Sequence, residues 1–206
     1  MRHLIATLCL GLATLAVGQA WSAPSKPAAP AKPAAPSDQP PPKLTIAQIM
    51  DRQLTTLEKE FVPAAEAMPD DKFNFAPTQG EFKGVRTFAL QVRHVANTNA
   101  QLFSALLGEK LPPGADPKTE NGSDTLTSKA DILKFLKDTF AMGHRAMNTL
   151  SESNLTERII GPDGKPGPTR LAAANLSVWH SFDHYGQMVE YLRMNGIVPP
   201  ASRNSQ

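Results

Sequence analysis

Cysteine is almost absent from this sequence. Among 206 residues there is one, Cys9, which excludes an intramolecular disulfide and any Cys-rich zinc or iron–sulfur site. An excess of one charge is missing too. The 21 Lys+Arg face 19 Asp+Glu, for a formal net charge of +2, and this balance makes no electrostatic case for nucleic acid, which needs a clustered basic face. The apolar run Leu4–Val17 is too short for a comfortable membrane span. There is no Gly-rich phosphate loop, no Ser/His/Asp order that stands out, no internal repeat and no convincing strand alternation. Glycines (13) are outnumbered by prolines (19), and the placement of those prolines is informative.

The chain opens with a positive residue, Arg2, then the apolar run, then small residues at Gly18, Ala20 and Ser22. This order predicts a signal peptide over residues 1–23, cleaved between Ala20 and Ala23, and hence an exported protein, periplasmic or secreted, with no membrane span after processing. Cys9 sits inside the run rather than behind small residues at its end, so no lipid anchor is expected. Cleavage removes it, and a thiol nucleophile from this chain is then excluded. Residues 24–42 carry eight prolines, most spaced three apart with Ala and Lys between. Such a Pro/Ala-rich stretch is a semi-rigid, solvated linker of polyproline-II type, with too few large apolar residues to build a core.

From Lys43 onward the pattern is helical. Thr45-x-x-Gln48 is a capping box that opens helix 1, whose stripe is Ile46, Ile49, Met50, Leu54, Leu57 and Phe61. Pro63 is expected to kink or shift its last turn. Helix 2 is expected from Gly84 or Val85 to Leu107, stopped by Gly108, with a long loop over Pro112–Asp124 after it. Ser128-x-x-Asp131 reads as a second capping box, opening helix 3 with the stripe Ile132, Leu133, Leu136, Phe140, Met147 and Leu150. Gly161–Pro168 is expected as a turn or short loop. Helix 4 follows Thr169 and ends near Asn195, with Gly196 as cap and Pro199-Pro200 blocking continuation. Four amphipathic helices of roughly 20 residues, each about 30 Å long, predict an all-α four-helix bundle over residues 43–200, followed by a tail, 201–206.

The mature chain keeps His94, His144, His180 and His184. His180 and His184 are four apart and share one helix face, a spacing that lets two imidazoles bind one metal. On the helical wheel His180 lies off the expected stripe of helix 4, centred near Tyr185, Val189 and Leu192, and His184 about a quarter-turn beyond its centre. His94 lies off the stripe of helix 2, among Arg93, Asn97 and Gln101. These polar faces are either solvated or line one groove. In the second case three imidazoles converge, a donor set that suits zinc or nickel and leaves a position open. His144 reads as a boundary or surface residue. Gly186, inside helix 4, marks room for a substrate or a neighbouring chain, so a homodimer is among the expected assemblies, or else a close approach of another element. Gln187 is a candidate to orient a bound water or a ligand histidine.

The stretch from His180 to Pro200, with H-x-x-x-H, Gly186-Gln187, Tyr191-Leu192-Arg193 and Gly196-Ile-Val-Pro199-Pro200, resembles the closing signature of the DinB/YfiT-like superfamily. Phe73–Pro77 and Arg93-His94-Val95-Ala96 are similar to its upstream segments. The resemblance implies a four-helix bundle and a divalent metal held by His94, His180 and His184. It also implies, for some members, metal-dependent transfer or hydrolysis acting on a small molecule or thiol. A non-catalytic metal-binding or interaction module is the alternative. No nucleic-acid partner is expected.

Overall fold

The structure, a computed structural model, describes residues 41–205; the expected signal peptide and nearly all of the linker lie outside the described residues. Helix α1 spans Ile46–Ala67, and its capping box is complete. The Gln48 backbone N–H donates to Thr45 Oγ1 at 3.2 Å, and the Thr45 N–H donates to Gln48 Oε1 at 3.0 Å. The helix continues through Pro63 to Ala67, where a kink or shift was expected. Phe61, Ala64 and Ala65 are buried on either side of the proline, so packing holds the turn that lacks one N–H.

Helix α2 spans Phe88–Leu107, starting later than Gly84 or Val85. Gly84 has φ +82°, a left-handed conformation no helix can contain. The true cap is Thr87, whose hydroxyl accepts from Leu90 N–H at 3.3 Å. Two further N–H groups of the first turn, on Phe88 and Ala89, donate to Phe75 and Phe73 carbonyls, each at 2.8 Å. Helix α3 spans Lys129–Met147. Its expected capping box is only half formed: Asp131 N–H donates to Ser128 Oγ, but the short Asp131 carboxylate takes the Ser128 hydroxyl at 2.6 Å instead of reaching the backbone. Helix α4 spans Arg170–Met194, capped by Thr169 and released at Gly196, φ +72°.

The segment before α4 differs from the expected loop. Strands β1 (Arg158–Ile160) and β2 (Pro166–Thr169) form an antiparallel hairpin, so Gly161–Pro168 is the tip plus most of a strand. Two prolines hid it. A two-stranded ribbon leaves each strand one unpaired edge, where a residue without N–H costs nothing.

Each of α1 and α2 packs against both α3 and α4, which puts consecutive helices α1/α2 and α3/α4 on the diagonals of the bundle. The all-α four-helix bundle is as expected. Its core is aliphatic and aromatic, with Phe61 and Phe140 packed at 6.2 Å between ring centroids. On α4 the expected stripe is buried at Ala174, Val178 and Leu192, but the rest of the buried face runs through Ser177, Ser181, His184, Met188 and Tyr191, with Phe182 and Tyr185 only partly buried at its border. The serines hide from a hydrophobicity pattern because they satisfy their own hydroxyls on the helix: Ser181 Oγ donates to Ser177 O at 2.6 Å and Ser177 Oγ to Ala174 O at 2.8 Å.

Two helical glycines give opposite expectations. A Cβ at Gly143 of α3 would lie 2.6 Å from Phe103 and 2.8 Å from Leu54, both fully buried. Overpacking of about 1–3 kcal/mol then outweighs a propensity gain of about 1 kcal/mol. A Cβ at Gly186 of α4 meets nothing within 4 Å, which removes close approach as the reason for that glycine. Urea unfolding should therefore show Gly143→Ala less stable than the parent by about 1 kcal/mol or more, and Gly186→Ala equal or more stable by up to about 1 kcal/mol.

Candidate metal centre

Neighbouring helices α2 and α4 bring His94, His180 and His184 together, with one ligand nitrogen of each within 4.8 Å of the others. His94 Nε2 lies 3.1 Å from His180 Nε2. A tetrahedral ion with bonds of about 2.0–2.1 Å separates its ligand nitrogens by about 3.3 Å, so the pair needs almost no adjustment to share one. His144 is elsewhere, between α3 and α1. Its Nδ1 faces Asp51 at 2.7 Å and its Nε2 faces Glu58 at 3.0 Å.

The hydrogen bonds set the tautomers. The Glu120 carbonyl can only accept, so His94 Nδ1, 2.8 Å away, carries the proton and Nε2 is bare. Gln91 on α2 gives its amide N–H to Gln187 Oε1 at 2.8 Å, which turns its own oxygen toward His184 Nδ1. His184 therefore donates there and leaves its Nε2 bare as well. The chain of donors ends on a carboxylate, because Gln187 Nε2 donates to Asp183 Oδ2 at 3.2 Å. His180 presents Nε2 to His94 Nε2, and its Nδ1 is buried with no hydrogen-bond partner. Two ring nitrogens kept bare by bonds at Nδ1, with a His180 nitrogen within 4.8 Å, are a donor set that fits a cation.

Burial pushes all three imidazoles below the ordinary histidine range. It is the main cause for His94, countered by the bond to the Glu120 carbonyl. For His180 burial is followed by the His94 charge. His184 is lowered to about 4, by burial and then by charge on His180 and His94. The three are thus neutral at neutral pH, the state a metal ligand requires.

A loop supplies part of this order. Asn97, buried on α2, donates to the Asp116 and Thr119 carbonyls at 3.1 and 2.9 Å and accepts from Asp116 N–H at 2.9 Å. Arg93 bonds the Asn121 and Ser123 carbonyls at 3.0 and 2.8 Å. These bonds bring the Glu120 carbonyl to His94. Asn97 stands beside His94 on the polar face as its sequence position indicates, but its part in holding the loop is visible only in the folded chain; Gln91 is a functional residue that the sequence reading missed. Both lie three residues from His94, on its side of α2, and that spacing is the available signal. The Glu120 carbonyl had none, since a backbone group is the same in every residue. Gln187, expected to orient a water or a ligand histidine, is placed one step back from His184, against Gln91.

A profile of the DinB superfamily matches residues 53–188. The chain belongs to the DinB superfamily. Among curated proteins no match is found. Solved structures of similar fold include a conserved protein from Enterococcus faecalis, 16% identical, with a TM-score of 0.57 over 73% of this chain and 97% of that one. A DinB-like protein from Bacillus cereus, 16% identical, has a TM-score of 0.53 over 73% and 93% of the two chains. YfiT from Bacillus subtilis is 20% identical, with a TM-score of 0.51 over 77% and 94%. It is described as "a probable metal-dependent hydrolase with an unusual four-helix bundle topology". At such identities the likeness speaks for the fold alone, so the case for a DinB-type metal centre here rests on the three histidines and their bonds.

His144 is separable from that centre by its response to pH. Burial alone would lower it, but hydrogen bonds to Glu58 and Asp51, with their charges, outweigh burial and raise it. A raised folded-state pKa stabilises below the unfolded value of about 6.5 and is lost as pH rises through the folded value. The difference in unfolding free energy between the parent and His144→Gln should be largest near pH 5.5 and shrink by pH 9. Taking the difference cancels the opposite trend of the three lowered histidines.

Proposed function

We propose that this DinB-superfamily chain is an exported protein that holds one divalent cation, zinc or nickel, on His94, His180 and His184, and uses it in hydrolysis or group transfer on a small molecule or thiol. One observation carries the reading: hydrogen bonds from outside the triad hold the ring protons of His94 and His184 on Nδ1, and a ligand nitrogen of each of the three histidines lies within 4.8 Å of the others. A cation there, when bound, supplies Lewis acidity, and three protein ligands leave a position for substrate. Glu120 O holds the proton of His94 on Nδ1, and the Gln91–Gln187–Asp183 relay holds that of His184 on Nδ1. Both protons stay off the ligand atoms. A thiol would come from the substrate, since the chain's single cysteine lies in the expected signal peptide.

Protein purified without chelator or His tag should contain one metal ion per chain by elemental analysis. Alanine at His94, His180 or His184 should remove most of it, and His144→Ala should not. Gln91→Ala should weaken metal binding about 10–100-fold in chelator competition while the helical content stays. Full metal content in the three single mutants would refute the site. Export is tested separately by intact mass, which should place the N-terminus between Trp21 and Pro24; a product retaining Met1 in the cytoplasm would refute it.

A further inference from the structure

Beside the triad, one face of α2 is left open. His94, Asn97, Thr98, Gln101 and Leu102 line a groove of about 390 Å³, closed on its far side by Pro117–Glu120. Gln101 and Pro117 also line a second cavity of about 750 Å³, so the two are adjacent. The larger one continues along α2 through Ala105 to Gly108 and ends on the β-hairpin and the first residue of α4. His94 to Gly108 is about 21 Å of helix, and each volume is in the range that takes small organic ligands.

The far end carries unmatched positive charge. Arg158, Arg170 and Lys110 line it, with Glu109 as the one carboxylate, and Glu109 is paired with Arg145. Among the described residues neither Arg158 nor Arg170 has a carboxylate partner. Arg158 spends one donor on the Gly167 carbonyl at 2.9 Å. Arg170 Nη2 donates to Leu106 O at 3.0 Å and Thr149 Oγ1 at 2.7 Å, which fixes its guanidinium in the wall. Its Nε is buried with no partner. Between the two ends the lining is mixed, with Leu102 and Ala105 beside Thr98, Gln101 and Ser104, and it turns apolar next to the arginines, with Leu106, Leu111 and Ile159; Ile160 stands on the rim 56% exposed. Arg158 keeps the rest of its planar fork free, which matches a carboxylate, and Arg170 adds a positive charge held in the wall; the apolar part of the lining matches a carbon chain.

We propose that this groove binds an elongated organic carboxylate, its charged end on Arg158 and Arg170 and its other end at the histidine triad. The second half of that statement rests on the metal reading above; the first half does not.

Calorimetric titration of the mature chain with octanoate should show one saturable site, equal in metal-loaded and chelator-stripped protein. Octanamide, which keeps the chain and loses the charge, should bind about ten- to hundredfold more weakly. Arg158→Gln should weaken octanoate by about tenfold or more; its side chain makes a single bond within a surface hairpin, so the fold is not at risk. Equal binding of octanoate and octanamide, unaltered octanoate binding in Arg158→Gln, or no binding at all would overturn the proposal. In cobalt-loaded protein, 16-mercaptohexadecanoate, long enough to span the roughly 21 Å from the arginines to the triad, should bind more tightly than hexadecanoate and shift the visible spectrum. A cobalt site that shows no shift, with no gain over hexadecanoate, would overturn the placement of the far end. Protein that takes up no metal would instead refute the metal reading and leave the octanoate result to decide the arginine end.

Discussion

Helices α2 and α4 meet through polar side chains, and most of what is distinctive here follows from how those groups are satisfied. Asn99 donates to Ser181 Oγ at 3.0 Å in the buried seam, Gln91 joins His184 to Gln187, and His94 faces His180. Burying such groups unpaired costs about 1–3 kcal/mol each, so the two helices have few alternative registers that pair as many of them; among the described residues only Asn99 Oδ1 and His180 Nδ1 are left buried without a partner in this seam. That constraint sets the imidazole geometry. An apolar seam would tolerate sliding and repacking; a hydrogen-bonded one does not.

The same constraint explains why a long, proline- and glycine-rich loop can serve the site. Loops order their backbone at an entropic cost of roughly 1–2 kcal/mol per residue. Here Asn97, Arg93 and Arg86 take up carbonyls and side chains of residues 116–124, which offsets that cost and fixes the Glu120 carbonyl. The loop also forms a wall of the groove leading away from the triad. One set of anchors, on α2 and just before it, thus serves both the histidine tautomer and the shape of the approach.

Much of the fold was legible because helix ends and apolar spacing are local properties. Thr45, Ser128 and Thr169 cap helices where their sequence positions required, and Gly108 and Gly196 end them in left-handed conformations. The errors have physical causes. Gly84 was read as a helix start because its φ is not written in its identity, and the hairpin was missed because Pro166 and Pro168 suit a free strand edge as well as a loop. The core face of α4 agrees with apolar spacing at Ala174, Val178 and Leu192 and departs from it where Ser177 and Ser181 bury as well as alanine, once their hydroxyls bond the preceding turn.

Four helices, their caps and the pairing of His180 with His184 on one helix face are local facts of the sequence, because each depends on residues within a turn or two of one another. That His94 meets that pair, that His144 turns away to Asp51 and Glu58, and that Gln91 and the Glu120 carbonyl orient the imidazoles follows only from how the helices pack. Those contacts join residues dozens of positions apart. Their geometry depends on which helices are neighbours and which lie on the diagonal, and that follows from packing the whole core.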